Sequence, residues 1–480
     1  MAPSVPISGP YRQIVLHDGT TAPFYVVPFD QDGRCTGPVT LGELLKNLRK
    51  AELEPDTHYS DIFLFSHGWN TPWPRAVEAY ETFIKGFASL HADLPDPPGR
   101  TYRPLLVGVF WPSAVLVDPD ESPPKIAGDG AGVAPESDEL VGVEEATKTE
   151  IARQLRPEAR ARFYEMAQKP GLSGTEAQEF SSFLAPLWFE DGTKDDLNLD
   201  AGRITETELM SIWKNLPNSD RDEGDQFGFA RGGFGFGSTG GASSGGNGEP
   251  SGMLPPIPDP QAAGLIEFLN PRELIRTTSV WMMKDRAGRV GADGVHGLLS
   301  DILAKTSARV HLIGHSFGGK LVLSALCAGE LPRAVESVLL LQPAISYLCF
   351  SPEVPGTGRP GGYFRALSVD RCRQPILSTF SARDFPLTKI FHLAVRRASD
   401  LGDIEIAAGP PGRYAALGGY GPAPGAGVVV VPAKDTGELY DLNGNSRVIG
   451  VESSRVIGGH SDVSNKWTWW MLLNQVRAEV

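Results

Sequence analysis

Ser316 stands in Val310-His311-Leu312-Ile313-Gly314-His315-Ser316-Phe317-Gly318-Gly319, where an apolar run ends in Gly-x-Ser-x-Gly and a helical pattern begins at once. A serine at the tip of a strand-to-helix turn adopts a strained backbone. Glycines two residues to either side remove the Cβ atoms that would clash there. The turn presents Oγ above the sheet edge, and the amides that open the helix suit developing negative charge. Such a serine can act as a nucleophile if the chain supplies a base and a pair of donors for an oxyanion.

Nine histidines limit the search for the base. In a chain ordered Ser, then Asp or Glu, then His, only His392 and His460 follow Ser316. His392 sits in an apolar helical stretch, which suits a buried structural histidine. His460 lies in Ile457-Gly458-Gly459-His460-Ser461-Asp462, a glycine-flanked loop before the final helical pattern. A loop there lets an imidazole meet a serine at the carboxyl edge of a sheet, so His460 is the expected base. His311, within the strand, and His315, inside the turn, read as structural, with His315 lining the site.

The orienting acid should follow a strand between these two residues. Asp384, in Phe380-Ser381-Ala382-Arg383-Asp384-Phe385-Pro386, lies just past an apolar run and would accept the imidazole Nδ1 proton. The competing role for Asp384 is to cap the helix after Pro386. Asp403 and Asp462 are the alternatives as acid. One oxyanion donor is the amide of Phe317, next to the serine. The second is expected from Phe65-Ser66-His67-Gly68-Trp69-Asn70, where Gly68 lets the backbone turn close and aims the Trp69 amide inward. His67, Gly68, Asn70, Trp111 and His315 are the expected lining.

These residues need a scaffold. Apolar runs predict strands at 12–16, 22–27, 61–65, 105–110, 277–282, from 310 into the Gly-x-Ser-x-Gly turn, and at 337–342, 375–380 and 447–452. Helical periodicity appears at 41–50, 74–90, 294–305, 320–328 and 465–476. Continuous rather than alternating apolar runs are typical of strands buried on both faces of a parallel sheet. Strands alternating with helices therefore predict an α/β protein with an open, mostly parallel central sheet flanked by helices. Residues 113–226 break the pattern with helical periodicity at 143–168, 174–188 and 205–216. Residues 227–260 are rich in Gly, Ser and Pro and read as a flexible linker. Between 113 and 231 there are 25 Asp+Glu against 12 Lys+Arg, so this block carries nearly all of the net charge of −14.

His67-Gly68-Trp69-Asn70, Gly314-His315-Ser316-Phe317-Gly318-Gly319, Asp384 and His460 together resemble the α/β-hydrolase superfamily, within its serine esterase and lipase-type members. The resemblance covers about 10–112 and 274–480 as one discontinuous core. It implies an eight-stranded, mostly parallel sheet with a Ser316–His460–Asp384 triad at its carboxyl edge. Phe110-Trp111-Pro112-Ser113 is similar to a segment common in bacterial hydrolases of this kind. Residues 113–226 then take the place of a large acidic, mainly helical cap. The function implied is cleavage of a carboxylic ester through an acyl-enzyme. An amidase, peptidase or thioesterase with the same triad stays open, as does a non-catalytic binding or scaffold protein on a hydrolase core.

The remaining composition excludes more than it selects. An acidic chain disfavours binding to a phosphate backbone, so no nucleic-acid partner is expected. No run approaches the ~20 apolar residues of a membrane helix. No secretory signal is visible, and Cys35, Cys327, Cys349 and Cys372 are scattered without CxxC spacing. A cytoplasmic protein with free thiols, no cofactor, no metal and a small-molecule ester substrate is expected. The sequence leaves the oligomeric state open. The carboxylates of 191–200 lack the glycine and terminal Glu of an EF-hand loop and read as a solvated acidic turn.

Overall fold

The computed structural model describes residues 10–16, 19–54, 56–69, 71–92, 102–113, 147–190, 196–197, 202–214, 269–391 and 411–478. Its strands are β1 (Arg12–Val15), β2 (Thr21–Pro28), β3 (Asp61–Ser66), β4 (Pro104–Phe110), β5 (Phe189–Glu190) and β6 (Gly202–Arg203). The chain continues with β7 (Arg309–His315), β8 (Ser337–Leu341), β9 (Ile376–Phe380), β10 (Val428–Pro432) and β11 (Val448–Glu452). Nine of these form one sheet in the order β1-β2-β4-β3-β7-β8-β9-β11-β10, and β5 pairs with β6 alone. Within the large sheet only the β1–β2 hairpin is antiparallel; every other pair is parallel. The protein is thus α/β, with a mostly parallel sheet of nine strands rather than eight.

Side chains of each central strand alternate between two apolar layers, as the period of two demands. Ile62 and Leu64 of β3, with Val310 and Leu312 of β7, face one layer with helices Pro38–Leu53, Pro271–Arg289, His296–Lys305 and Phe317–Cys327. Phe63, Phe65 and Ile313 face the other, against helices Trp73–Ala92 and Lys466–Arg477. Both faces of the central strands are therefore dry, which explains their continuous apolar runs.

Two expected elements are corrected and one unexpected strand is added. The stretch 277–282 is not a strand but the middle of helix Pro271–Arg289. Asn270 Oδ1 accepts the Arg272 amide at 3.0 Å, and Pro271 occupies the first helical position. Nearly every residue from Thr277 to Met283 is buried, so no amphipathic period survives to distinguish helix from strand. Strand β10 was not expected. It pairs in parallel with β11 at the sheet edge, where Val430 is exposed. The helical stretch at 143–168 is broken, with a new helix starting at Pro157. Proline lacks the N–H an unbroken helix requires there.

The described part of 113–226 packs on the core through aromatic residues. Phe163 stacks on Phe180 with ring centroids 5.4 Å apart. Trp188 stacks on Trp281 of the Pro271–Arg289 helix at 5.0 Å and donates from Nε1 to Thr278 Oγ1. Phe163, Phe180, Trp188 and Trp213 belong to the same buried cluster as Leu274 and Leu321.

Asp196 itself is not solvated but buried, while the other carboxylates of 191–200 lie outside the described residues. Its Oδ1 lies 3.0 Å from Lys284 Nζ and 3.1 Å from Lys320 Nζ, while Oδ2 accepts the Ser346 amide at 2.8 Å. Burial alone would favour the protonated acid, but the two ammonium groups and the amide hold its carboxyl well below the usual range. Removing that charge would leave buried lysines uncompensated.

Candidate active site

Strand β7 ends at His315, and Ser316 follows with φ 56° and ψ −126°, a region costly for any residue but glycine. The turn is held from both sides. Ser316 N–H donates to Leu341 O at the end of β8, and Ser316 O accepts the amides of Gly319 and Ala344. The flanking glycines are dictated by close approach. A Cβ at 314 would lie 2.6 Å from Gly318 O, and one at 318 would lie 2.3 Å from Ser66 O. Helix Phe317–Cys327 therefore starts in backbone contact with the carboxyl end of β3.

The loop after β11 brings His460 to this serine. Its Nε2 lies 2.8 Å from Ser316 Oγ and its Nδ1 lies 2.8 Å from Asp384 Oδ2. The carboxylate can only accept, so Nδ1 carries the proton and Nε2 presents its lone pair to the hydroxyl. Asp384 has contacts that suit both roles weighed for it. Oδ1 accepts the Leu387 amide at 3.0 Å, capping the helical turn Pro386–Ile390, while Oδ2 serves His460. Ser316 is 3% exposed and Asp384 is fully buried. Asp462 instead caps its own loop by accepting the Gly458 amide at 3.0 Å. His392, Asp403 and Asn70 lie outside the described residues.

Two buried histidines fix the flanking backbone. His315 Nε2 lies 2.9 Å from the carbonyl oxygen of His460, so it carries the proton it donates there. Burial first, and the neighbouring His460 second, push His315 down to about 3, so the ring is neutral near pH 7. His67 Nδ1 donates to Gly68 O at 2.9 Å, and its Nε2 accepts the Trp111 amide at 3.3 Å. Burial lowers His67 to about 4. Trp111 is fully buried, stacks on His67 at 5.5 Å, and donates Nε1–H to His67 O. Trp111 and His67 thus support the Gly68 turn from the interior rather than facing solvent.

That support has a geometric consequence. Gly68 O accepts from both His67 Nδ1 and Thr71 Oγ1. In a planar trans peptide the next N–H points opposite to the carbonyl, so pinning Gly68 O also sets the direction of the Trp69 amide. The turn sits directly against the serine, since a Cβ at Gly68 would lie 2.7 Å from Ser316 Cβ.

One participant was missed from sequence. Gln342 follows β8, is fully buried, and donates from Nε2 to Asp384 Oδ2 at 2.9 Å. A polar residue closing an apolar strand, at the edge where the other site residues gather, was the available signal. No family model, curated protein or solved structure matches this chain. Its chemistry is therefore argued from its own residues.

Proposed function

We propose that the protein is a serine hydrolase of the α/β-hydrolase kind that cleaves a carboxylic ester through an acyl-enzyme. The observation that carries this reading is the unbroken relay from Ser316 Oγ through His460 to Asp384, two contacts of 2.8 Å each. It lies at the carboxyl ends of β7, β9 and β11, on a serine whose backbone is strained as a nucleophile turn requires.

In this mechanism His460 Nε2 takes the Ser316 proton as Oγ bonds to the ester carbonyl carbon. The carbonyl π pair moves to oxygen, and the resulting oxyanion accepts from the Phe317 and Trp69 amides. One such donor contributes about 3 kcal/mol of transition-state stabilisation. The C–O bond to the leaving alkoxide then breaks, and His460 delivers the proton to it. Water repeats the sequence on the acyl-enzyme, releasing the acid and restoring Ser316. Asp384 stays ionised throughout and stabilises the transient imidazolium.

In this reading the described part of 113–226 belongs to a cap over the core; the linker expected at 227–260 lies outside the described residues. A panel of p-nitrophenyl esters of rising acyl length, set beside matched amides and thioesters, tests the function. Ester turnover that disappears in Ser316→Ala is the expected result. Turnover of none of the three classes by folded protein would overturn it.

A further inference from the structure

Gln342 combines two costly features. Its φ of 45° is in the left-handed region, although it is not a glycine. Its amide is fully buried and spends both N–H groups at fixed targets: one on Asp384 Oδ2 at 2.9 Å, the other on Gly418 O at 3.1 Å. Both targets are pure acceptors, which settles the orientation of the amide; the flipped rotamer would set Oε1 against a carboxylate and a carbonyl. The backbone is held as firmly. Gln342 N–H donates to Thr379 Oγ1 of β9 at 2.8 Å, tying the end of β8 to the strand that leads to Asp384.

The geometry points to Gln342 as a positioning residue that fixes the Asp384 carboxylate for His460, a role that rests on the hydrolase reading of the same site. Asp384 Oδ2 is shared between His460 Nδ1 and the Gln342 amide, while Oδ1 is committed to the Leu387 amide. Three donors therefore define the carboxylate plane, and only Gln342 among them is a side chain without a catalytic step of its own. The strained backbone has an account on these terms: relaxing φ would swing the amide off Oδ2 and free the carboxylate to rotate away from the imidazole. The titratable groups tied to this amide by hydrogen bonds are Asp384, directly, and His460, through the shared Oδ2; His315 in turn holds the His460 carbonyl.

Two variants separate positioning from packing. Gln342→Gly suits the positive φ and should fold, but it removes the amide. Gln342→Glu is nearly isosteric. Its carboxyl can donate to Asp384 only while protonated, and once ionised it places two carboxylates side by side. The readout is the second-order rate of inactivation by a fluorophosphonate probe across pH, with thermal unfolding as the control for folding. Gln342→Gly should slow inactivation about 10- to 100-fold at every pH, the range seen when a group orienting a functional ligand is lost. Gln342→Glu should approach wild type at low pH and fall away as pH rises, a titration wild type lacks. Wild-type rates and pH profile in both folded variants would overturn this role and leave the hydrolase reading standing. Failure of the wild-type protein to react at all would remove both.

Discussion

The sheet carries two Ser–His–Asp relays, one at each of its two edges along the strand direction, with β7 the strand they share. At the carboxyl ends Ser316, His460 and Asp384 are linked by contacts of 2.8 Å. At the amino ends Ser337 Oγ lies 2.7 Å from His311 Nδ1, and His311 Nε2 lies 3.0 Å from Asp61 Oδ1. Residue types and hydrogen-bond order match, yet the surroundings differ in every respect that matters for chemistry. Ser337 opens β8 as an ordinary strand residue, and all three members of its relay are fully buried. Arg309 also pairs with Asp61. Ser316 sits on a strained turn at a helix start, with the Gly68 turn against its Cβ, and His460 keeps 13% of its side chain exposed. On the proposed reading it is backbone strain, nearby amides and the partial exposure of His460, and not the three residue types alone, that set the Ser316 relay apart.

The largest expected effects separate the two relays by activity. Ser316→Ala or His460→Ala should lower ester turnover about 10^6-fold, and Asp384→Asn about 10^4-fold. Equivalent changes at Ser337 should leave kcat and KM of the folded protein unchanged. Gly68→Ala comes next. Its Cβ would meet Ser316 Cβ, displacing the turn that carries the Trp69 amide, so kcat should fall about 10^2- to 10^3-fold, and the overpacking should cost about 1 to 3 kcal/mol in chemical denaturation.

Stability should sort the relays the opposite way. Asp61→Ala leaves His311 and Arg309 without their buried acceptor and should cost about 3 kcal/mol in urea denaturation. Ser316→Ala should cost less than about 1 kcal/mol, because active-site residues are seldom optimal for stability.

A third contrast concerns pH. His67, lowered to about 4, and His315, lowered to about 3, bind their protons more weakly folded than unfolded. The unfolded chain therefore takes up more protons below its histidine pKa of ~6.5, and stability falls as pH drops from there, to about 4 for the His67 share and about 3 for the His315 share. For His67 the loss approaches about 3 kcal/mol, at ~1.4 kcal/mol per pKa unit. Urea denaturation at pH 7 and pH 4.5 measures it, and His67→Gln should flatten the slope.

Much of the site was legible because its signals are local. Glycines at 314 and 318 announce the close approaches at the turn, and chain order leaves few partners for Ser316. Asp384 reads as either cap or acid because one carboxylate contacts both the Leu387 amide and His460. The features that escaped depend on distant neighbours. Asp196 reads as a surface acid until Lys320, 124 residues away, is seen beside it. The helix at Pro271–Arg289 looked like a strand because its Thr- and Val-containing centre is buried on nearly all sides. Gln342 carries no motif; its meaning comes from the carboxylate that a neighbouring strand delivers.

The central claim is that Ser316, and not its sealed counterpart Ser337, is a nucleophile. Reaction of the wild-type protein with a fluorophosphonate probe, followed by peptide mass mapping, tests it most directly. The predicted adduct lies on Ser316, is lost in Ser316→Ala and persists in Ser337→Ala. An adduct that survives Ser316→Ala, or none on folded wild-type protein, would contradict the account.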